Sequence, residues 1–210
     1  MELNSIERFY KKQAKIYDFT RKFFLFNRQT AVESLELKPE SRVIDFACGT
    51  GRNIHYLLDH ILAKNITGID YSESMLAVAR AHFPEVEFIK GDVSRQSFSN
   101  SVDKILCTYS LSMIEEWEKA IETARSLMNE KGSLVILDFH KWSFAEPCYK
   151  IFRHWLNLHG VDAERDPTDY IKMKFKEVEK RVLNHGYNYI IVAKKPIKDS
   201  EKIGSKCGEV

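Results

Sequence analysis

The fold of this 210-residue chain is decided by the stretch Val43-Ile44-Asp45-Phe46-Ala47-Cys48-Gly49-Thr50-Gly51-Arg52-Asn53. An apolar strand is followed there by a loop of small residues and then by the start of a helix. Gly49 and Gly51 allow the backbone to turn sharply and to approach a ligand closely, and the exposed amides of the following helix favour a polar or anionic group. The stretch therefore predicts a nucleotide-type binding site, with a plain strand-to-helix turn as the alternative.

Beyond this stretch, short β-branched runs alternate with longer segments of helical periodicity, which is typical of a parallel sheet with crossover helices. Strands are predicted at residues 42–46, 65–70, 86–90, 105–108 and 133–139, and helices at 53–62, 73–82, 116–129 and 144–158. A further short helix is predicted from Asp166, with Pro167 at its first position. Gly132 is expected to form the turn before the fifth strand.

The C-terminal part of the sheet is predicted to be a hairpin. Residues 175–183 and 187–194 suit two strands joined by Asn184-His185-Gly186, a tripeptide typical of tight turns. The expected fold is therefore α/β: a Rossmann-like, seven-stranded, mostly parallel sheet with a C-terminal antiparallel hairpin and helices on both faces. Residues 1–30 are expected to form lid helices, residues 31–196 the binding domain and residues 197–210 a disordered tail.

Composition narrows the classes of function. The 32 basic and 30 acidic side chains nearly cancel, so the overall charge gives no argument for a nucleic-acid partner. The four cysteines form no CxxC pair, residues 1–12 lack the apolar run of a signal peptide, and no stretch of about 18 apolar residues occurs. We therefore expect a reduced, cytoplasmic protein without a metal site, for which surface attachment is the only way to contact a membrane.

An acidic residue follows or ends each of the first three predicted strands. Asp45, Asp70 and Asp92 would all lie at the carboxyl edge of the sheet, where ligands of open α/β sheets bind. A nicotinamide dinucleotide is the main rival ligand, but its GxGxxG fingerprint needs a third glycine where this chain has Ile54. Asp45 would also repel a diphosphate, whereas a carboxylate favours the ammonium and sulfonium of S-adenosylmethionine (SAM). These residues favour SAM, with Asp70 on the ribose hydroxyls and Asp92 near the adenine amino group.

Four motifs resemble those of the class I SAM-dependent methyltransferases, especially the methyltransferase-11 and ubiquinone-biosynthesis-like group. They are DFACGTG at residues 45–51, GIDYSESML at 68–76, GDV at 91–93 and YIIVAKKP at 189–196, within a resemblance that spans roughly residues 41–195. The resemblance implies SAM as cofactor, with S-adenosylhomocysteine (SAH) as its product. Its motifs are specific for the cofactor and weak for the substrate.

The cofactor-binding residues implied by the resemblance come from the N-terminal segment, the glycine loop and the ends of the first four strands. They are Tyr17, Asp45, Ala47, Gly49, Thr50, Gly51, Asp70, Tyr71, Met75, Asp92, Val93 and Thr108. The loop departs from the more usual D-x-G-C-G-x-G pattern at residues 46–48. Cys48 is expected there as a small packed residue rather than as a nucleophile.

The sequence says less about the residues that bind the methyl acceptor than about those that bind the cofactor. Methyl transfer from a sulfonium is an in-line displacement, in which positioning and desolvation can do most of the work. A carbon or phenol nucleophile also needs a base, for which His140 is the candidate, with simple packing as the alternative. Tyr109 is expected to line the floor after the fourth strand, and both residues are predicted to contact the substrate and to act in catalysis. The run CTYSL at residues 107–111 lacks the Asn/Asp-Pro-Pro-aromatic signature of enzymes that methylate exocyclic amines of bases, so no nucleic-acid substrate is expected.

The N-terminal segment carries the substrate prediction. An N-terminal helix with a Tyr-Asp element closes over the cofactor in this family, which implies that Tyr17 and Tyr10 face the transferred methyl group. Tyr17 is therefore a third predicted catalytic residue, and Tyr10 is predicted to contact the substrate. The run IYDFTRKFFLFNR at residues 16–28 further resembles lipid N-methyltransferases. Its aromatic rings can favour a methylated ammonium by cation–π attraction, and Arg21 or Lys22 would pair with a lipid phosphate or carboxylate. Basic residues beside apolar ones also fit contact with an anionic bilayer, and a packed lid with solvated lysines is the alternative.

Three functions remain open from the sequence. The favoured one is N-methylation of an amine in a lipid head group of the phosphatidylethanolamine or betaine-lipid type. The alternative is C- or O-methylation of a quinone precursor or a soluble small molecule. The third is a SAM-binding module without enzymatic activity.

Overall fold

The computed structural model describes residues 25–97, 101–141, 146–158 and 160–198. The predicted lid up to residue 24 and the predicted tail from residue 199 lie outside this part of the chain, and so do Tyr10, Tyr17 and Arg21. Within the described residues, no helix is long and apolar enough to cross a bilayer.

The described strands form one sheet. They are β1 Val43–Phe46, β2 Ile66–Asp70, β3 Glu87–Lys90, β4 Val102–Thr108, β5 Met128–Phe139, β6 Phe175–Leu183 and β7 Asn188–Pro196. Their order is β3-β2-β1-β4-β5-β7-β6. Strands β1 to β5 pair in parallel, whereas β7 is antiparallel to both β5 and β6. The predicted seven-stranded sheet with a C-terminal hairpin is confirmed, and the direction of strand addition reverses beside β1, where ligands of such sheets bind.

The described α-helices lie on both faces of the sheet. They are α1 Arg28–Glu33, α2 Ile54–Leu58, α3 Glu73–His82, α4 Trp117–Leu127, α5 Glu146–Leu158 and α6 Thr168–Lys172. Helix α3 has the predicted bounds because Ser72 caps it, accepting a hydrogen bond from the Met75 amide at 3.4 Å. Helix α2 ends earlier than predicted, since the chain turns after Leu58 into a 3-10 helix at Ala63–Asn65.

Two hydrophobic cores flank the sheet. In one core, α1, α2, α3 and α5 pack against side chains such as Leu106 of β4. In the other core, α4 and α6 pack against Ile105 and Cys107, the residues on either side of Leu106 in β4. Successive residues of a strand point to opposite faces, so both sets can be fully buried in one short apolar run. The continuous apolar runs of the sequence therefore mark strands that are covered on both sides.

The turn predicted at Gly132 lies inside strand β5, which begins five residues earlier than expected, and regular pairing with β4 resumes at Ser133. Strand β5 begins at Met128 and runs through Gly132. It pairs with Val102 at Met128 and shifts register before the pair Lys104–Ser133. A Cβ atom at Gly132 would lie only 2.7 Å from the Cβ of Met128, so this irregular part of the strand requires a residue without a side chain.

Candidate cofactor site

The glycine loop leaves β1 with left-handed backbone conformations. The φ angle is 52° at Ala47, 59° at Gly49 and 82° at Gly51. Glycine adopts such values without strain, and other residues do so rarely. A side chain added at Gly49 would meet no atom within 4 Å, so the space beside this backbone is open. The loop therefore allows a ligand to approach the main chain at Gly49.

Cys48 fastens this loop to β2. Its amide donates to the carbonyl of Ile69 at 2.9 Å. Its side chain is buried, and a Cβ atom at Gly68 would come within 2.9 Å of its Sγ. Burial raises the pKa of the thiol well above its ordinary value, and the carboxylates of Asp70 and Asp45 act in the same direction. These observations fit the prediction that Cys48 packs and is not a nucleophile.

Asp70 ends β2 with its carboxylate turned towards the glycine loop. Its Oδ2 accepts from the Gly49 amide at 2.8 Å, and its Oδ1 accepts from the Ser72 amide at 2.8 Å. Burial raises the pKa of Asp70, while these backbone hydrogen bonds oppose the rise. The predicted ribose-binding acid and the predicted methionine-binding loop are thus in direct contact.

Asp45 is buried at the end of β1 and bonded to an amide rather than to solvent. The Nδ2 of Asn53 lies 2.8 Å from its Oδ1 and 3.0 Å from its Oδ2. Burial raises the pKa of Asp45 to about 7, against the lowering effects of Asn53 and Arg28. The predicted contact of Asp45 with the methionine part of SAM stays a prediction, because the carboxyl group already has this neighbour.

Arg28 and Asn53, to which the sequence analysis gave no role, connect Asp45 to the end of β4. The Nη1 of Arg28 donates to Asn53 Oδ1 at 2.8 Å and to Thr108 Oγ1 at 2.5 Å. Asn53 Nδ2 also donates to Thr108 Oγ1 at 3.0 Å. The edge of the sheet thus carries a cation and a carboxyl group with the Asn53 amide between them.

The other predicted cofactor residues lie around the same edge. Asp92 follows β3, and its Oδ1 accepts from the Ser94 amide at 2.9 Å and from the Ser94 hydroxyl at 2.7 Å. This contact shapes the turn after β3. Thr50, Met75 and Val93 are buried, whereas Tyr71 is partly exposed. The fold brings these residues together because they follow the carboxyl ends of adjacent parallel strands.

Tyr109 occupies a structural position at the end of β4. Its φ is 53°, its ring is buried, and its hydroxyl donates to the carbonyl of Phe26 at 2.7 Å. The same hydroxyl accepts from Asn188 Nδ2 at 2.8 Å. Burial raises the pKa of this phenol above its ordinary value. A hydroxyl that is engaged twice and hard to ionise is a poor base, so these contacts favour a place in the wall of the site over the predicted catalytic role.

His140 follows β5 and is partly buried. Its ring meets that of Tyr189 edge-on, with the centroids 6.0 Å apart. Burial lowers the pKa of the imidazole, and Lys180 adds to the effect, so the ring is neutral near pH 7 and able to accept a proton. Tyr189 belongs to the core beneath α4 and α6, whereas Tyr109 belongs to the other core. Of the three predicted catalytic side chains, His140 and Tyr109 therefore pack towards opposite faces of the sheet, and Tyr17 lies outside the described residues.

An aromatic cluster, defined by Phe26, Tyr109, Phe139, Phe152 and Tyr187, borders the site on the α5 side. The ring centroids are 5.0 Å apart for Tyr109 and Phe139, and 5.8 Å apart for Phe139 and Tyr187. Phe26 and Phe152 each lie 5.9 Å from Tyr187. Such spacings are those of edge-to-face and offset ring contacts. The cluster begins one residue after Thr108; Tyr109, Phe139 and Tyr187 are buried in it, whereas Phe26 is exposed.

Comparison with known proteins also indicates a methyltransferase domain. Residues 43–132 match the family described as Methyltransferase domain. The ubiquinone/menaquinone biosynthesis C-methyltransferase UbiE of Campylobacter jejuni is 34% identical over 142 residues, which cover 61% of this chain and 60% of that protein. The demethylmenaquinone methyltransferase of Thermotoga maritima is 31% identical over 138 residues, which cover 62% of this chain and 60% of that protein. The chain thus spans about three fifths of the length of these relatives.

Among solved structures, a complex of DhpI with SAH has a TM-score of 0.68 at 18% identity, covering 93% of this chain and 98% of that chain. This likeness concerns the fold. The residues present also fit SAM, because the backbone at Gly49 is open to a ligand and the Asp70 carboxylate lies beside it. The sheet order, the loop and the matched domain agree with the class I SAM-dependent methyltransferases, and the predicted resemblance of this chain to them is confirmed.

Proposed function

We propose that this protein transfers the methyl group of SAM to a ring carbon of a quinol-like aromatic acceptor. The observation that carries the cofactor half of the proposal is the contact of the Asp70 carboxylate with the Gly49 amide, beside the strand at which the sheet order reverses. At that position Asp70 can bind the ribose of a ligand, and the methionine part of the ligand can lie along the glycine loop. When bound, SAM supplies a methyl group activated by its sulfonium.

The acceptor half of the proposal is supported by the aromatic cluster. Its rings form a wall that starts at Tyr109, next to Thr108 of the cofactor edge. A planar, apolar ring can stack against the exposed ring of Phe26 in this cluster. Both relatives reported above are named for quinones, and one of them is described as a C-methyltransferase.

The chain's own residues would contribute orientation and the exclusion of water. Asp70 and the glycine loop would fix the cofactor, and the aromatic cluster would hold the acceptor ring and exclude water from the transfer. A carbon nucleophile of this kind becomes reactive when a ring hydroxyl loses its proton. His140, the base predicted from the sequence, packs towards the opposite face of the sheet from the aromatic cluster, so we propose that this proton is lost to solvent before the transfer.

N-methylation of a lipid head group has less support than the sequence suggested. That prediction depended on residues 16–28, most of which lie outside the described part of the chain. Neither the matched family nor the two relatives described above is named for a lipid substrate. We therefore place this function behind methylation of a quinol-like ring.

The test is a transfer assay with methyl-labelled SAM. The purified protein is offered a 1,4-naphthoquinol that is unsubstituted at one carbon beside a hydroxyl, and phosphatidylethanolamine vesicles in parallel. We expect label in the quinol, on carbon rather than oxygen by mass spectrometry, and none with Asp70→Asn. Label in the lipid alone would favour the first sequence prediction. Binding of SAH without transfer to either acceptor would favour a module without activity.

A further inference from the structure

We infer that Arg165 is a positioning residue for the methyl acceptor, because it joins the turn after β4, residues 110–114, to the segment that follows α5. The joined parts form one wall of the acceptor site and keep it at a fixed distance from the cofactor. This role rests on the proposed function in placing an acceptor beside the aromatic cluster, and it holds for any acceptor bound there. Arg165 lies outside the matched region, residues 43–132, and outside the sequence-predicted site.

The turn starts directly after the cofactor edge. Thr108 ends β4 there, and Tyr109 of the aromatic cluster precedes the turn. The turn contains a 3-10 helix, Leu111–Met113, and crosses the end of the sheet. Leu111 is buried in the core beneath α4 and α6, whereas Met113 packs against the core that contains Tyr109. A shift of this turn would therefore change the shape of the acceptor site beside the cofactor.

Two charged side chains hold the backbone of the turn. Asp138, at the end of β5, is fully buried, and it accepts from the Ser112 amide at Oδ2 and from the Ser112 hydroxyl at Oδ1, both at 2.8 Å. Arg165 donates from Nη1 to the carbonyls of Leu111 and Ile114, both at 2.6 Å. Hydrogen bonds to charged groups are stronger than those between neutral ones. The turn is therefore fixed by distant parts of the chain as well as by its own hydrogen bonds.

The segment that carries Arg165 also connects the turn to α5. In this segment, which follows the helix, the Asp162 amide donates to the Ser112 carbonyl at 2.9 Å. Val161 is buried in the core beneath α5, against which Phe152 of the aromatic cluster also packs. Arg165 thereby fixes α5, and the cluster residue that this helix carries, relative to the end of β4.

The guanidinium of Arg165 is largely withdrawn from solvent. Only 18% of its side chain is exposed, and its Nε lies 3.6 Å from Asp162 Oδ2. Its Cζ lies 5.9 Å from the centroid of the Trp117 ring. Burial of a charge is costly unless the charge is paired and hydrogen-bonded, and short 3-10 turns commonly form without such support. This arrangement therefore indicates that the turn must be held in one position, beyond what its folding requires.

The test separates effects on the acceptor from effects on the cofactor. Transfer from methyl-labelled SAM is measured with the acceptor varied, using whichever of the two acceptors offered above takes label, and SAH binding is measured by calorimetry. We expect Arg165→Gln to lower kcat/KM for the acceptor about 10- to 100-fold, as for a misplaced reacting group, and to change the Kd of SAH by less than about twofold. Arg165→Lys should lie between, because lysine keeps the charge and loses the fork. Arg153→Gln is the matched control, since its ion pair with Glu164 joins α5 to the same segment, and it should change neither.

Hydrogen exchange of the SAH complex gives a readout without turnover. Arg165→Gln should speed exchange of the amides of residues 111–114 and leave those of the glycine loop at the wild-type rate. Faster exchange of the turn with wild-type kcat/KM would assign Arg165 to support of the fold alone and overturn the inference. Equal losses of kcat/KM and SAH affinity would overturn it too. Should Arg165→Gln fail to fold, Arg165→Lys decides: kcat/KM should fall about threefold or more with SAH affinity unchanged, and a wild-type kcat/KM would contradict the inference.

Failure of the proposed function would be recognised separately. A wild type that binds SAH but labels neither acceptor would remove the proposed function. The affinity of oxidised 1,4-naphthoquinone for the SAH complex, measured by tryptophan quenching, then takes the place of kcat/KM. Arg165→Gln should lower that affinity about tenfold or more. Equal affinity of the two proteins, or no binding of the quinone to the wild type, would overturn the inference as well.

Discussion

Replacing Asp45 with asparagine should remove a large part of the pH dependence of stability in the cofactor-free protein. Asp45 is fully buried, and burial raises its pKa from 3.8 to about 7. Between these values the native state holds a proton that the unfolded chain has released. The contribution of Asp45 to the free energy of unfolding is therefore largest at low pH and is lost as the pH rises towards about 7.

The size of the effect follows from the two pKa values. Between about pH 5 and about pH 7 the native state holds a proton on Asp45 that the unfolded chain has lost. Over each of these roughly two pH units the free energy of unfolding falls by about 1.36 kcal/mol. Asp45 alone should therefore remove about 2.5 kcal/mol from the free energy of unfolding over that interval. Asp138 is also buried, with a pKa raised to about 6, but it is present in both proteins and cancels in the comparison.

The assay is urea unfolding of the wild type and Asp45→Asn near pH 5 and pH 8, without cofactor. A constant offset between the two proteins has no bearing on the argument, since only the change with pH is compared. Asp169→Asn removes an exposed carboxylate and is the matched control, expected to keep the wild-type slope. If Asp45→Asn loses as much stability between the two pH values as the wild type does, Asp45 does not hold the proton and the reasoning is refuted.

Three further predictions concern packing and burial. Gly68→Ala should lower the free energy of unfolding by about 1–3 kcal/mol, because the new Cβ would lie 2.6 Å from the ring of Phe88 and 2.9 Å from the Sγ of Cys48; an unchanged urea midpoint would contradict this. Tyr109→Phe should lower it by about 1–3 kcal/mol, since the buried Asn188 amide loses its acceptor, and a neutral result would show that the amide finds another partner. In a variant with the other two cysteines replaced by serine, the buried thiols of Cys48 and Cys107 should not react with a disulfide reagent until denaturant is added, and rapid reaction of the native protein would contradict their burial.

The fold could be predicted because its signals are local. Helix α3 has a capping serine, a periodic apolar face and basic residues in its last turn, and its predicted bounds are those observed. The strand ends were harder to predict. Strand β5 was expected from Ser133 because Gly132 suggests a turn, whereas pairing with β4 carries the strand back to Met128. Pairing with a distant strand is a tertiary effect that local propensity does not contain.

Only part of the candidate site could likewise be predicted from the sequence. The loop and Asp70 lie within one short stretch of sequence each, and their roles follow from residue type and spacing. Arg28 reaches Thr108 across 80 positions, and Asn27 reaches Asn188 across 161. No periodicity or motif links such residues, so the sequence could indicate the loop but not the side chains that surround it. The burial that raises the pKa of Tyr109 is likewise a property of the folded chain, and the sequence placed this residue among the catalytic candidates.

The most direct test of the central claim is calorimetric titration of SAH into the wild type and Asp70→Ala, with Asp59→Ala, an exposed acid on the helix side of the loop, as the control. Circular dichroism of each variant confirms that the fold is retained. The account predicts one SAH per chain, an affinity at least about 100-fold lower in Asp70→Ala because hydrogen bonds to a charged group are lost, and wild-type affinity in Asp59→Ala. Equal affinity of Asp70→Ala and the wild type, or no binding of SAH to the wild type, would contradict it.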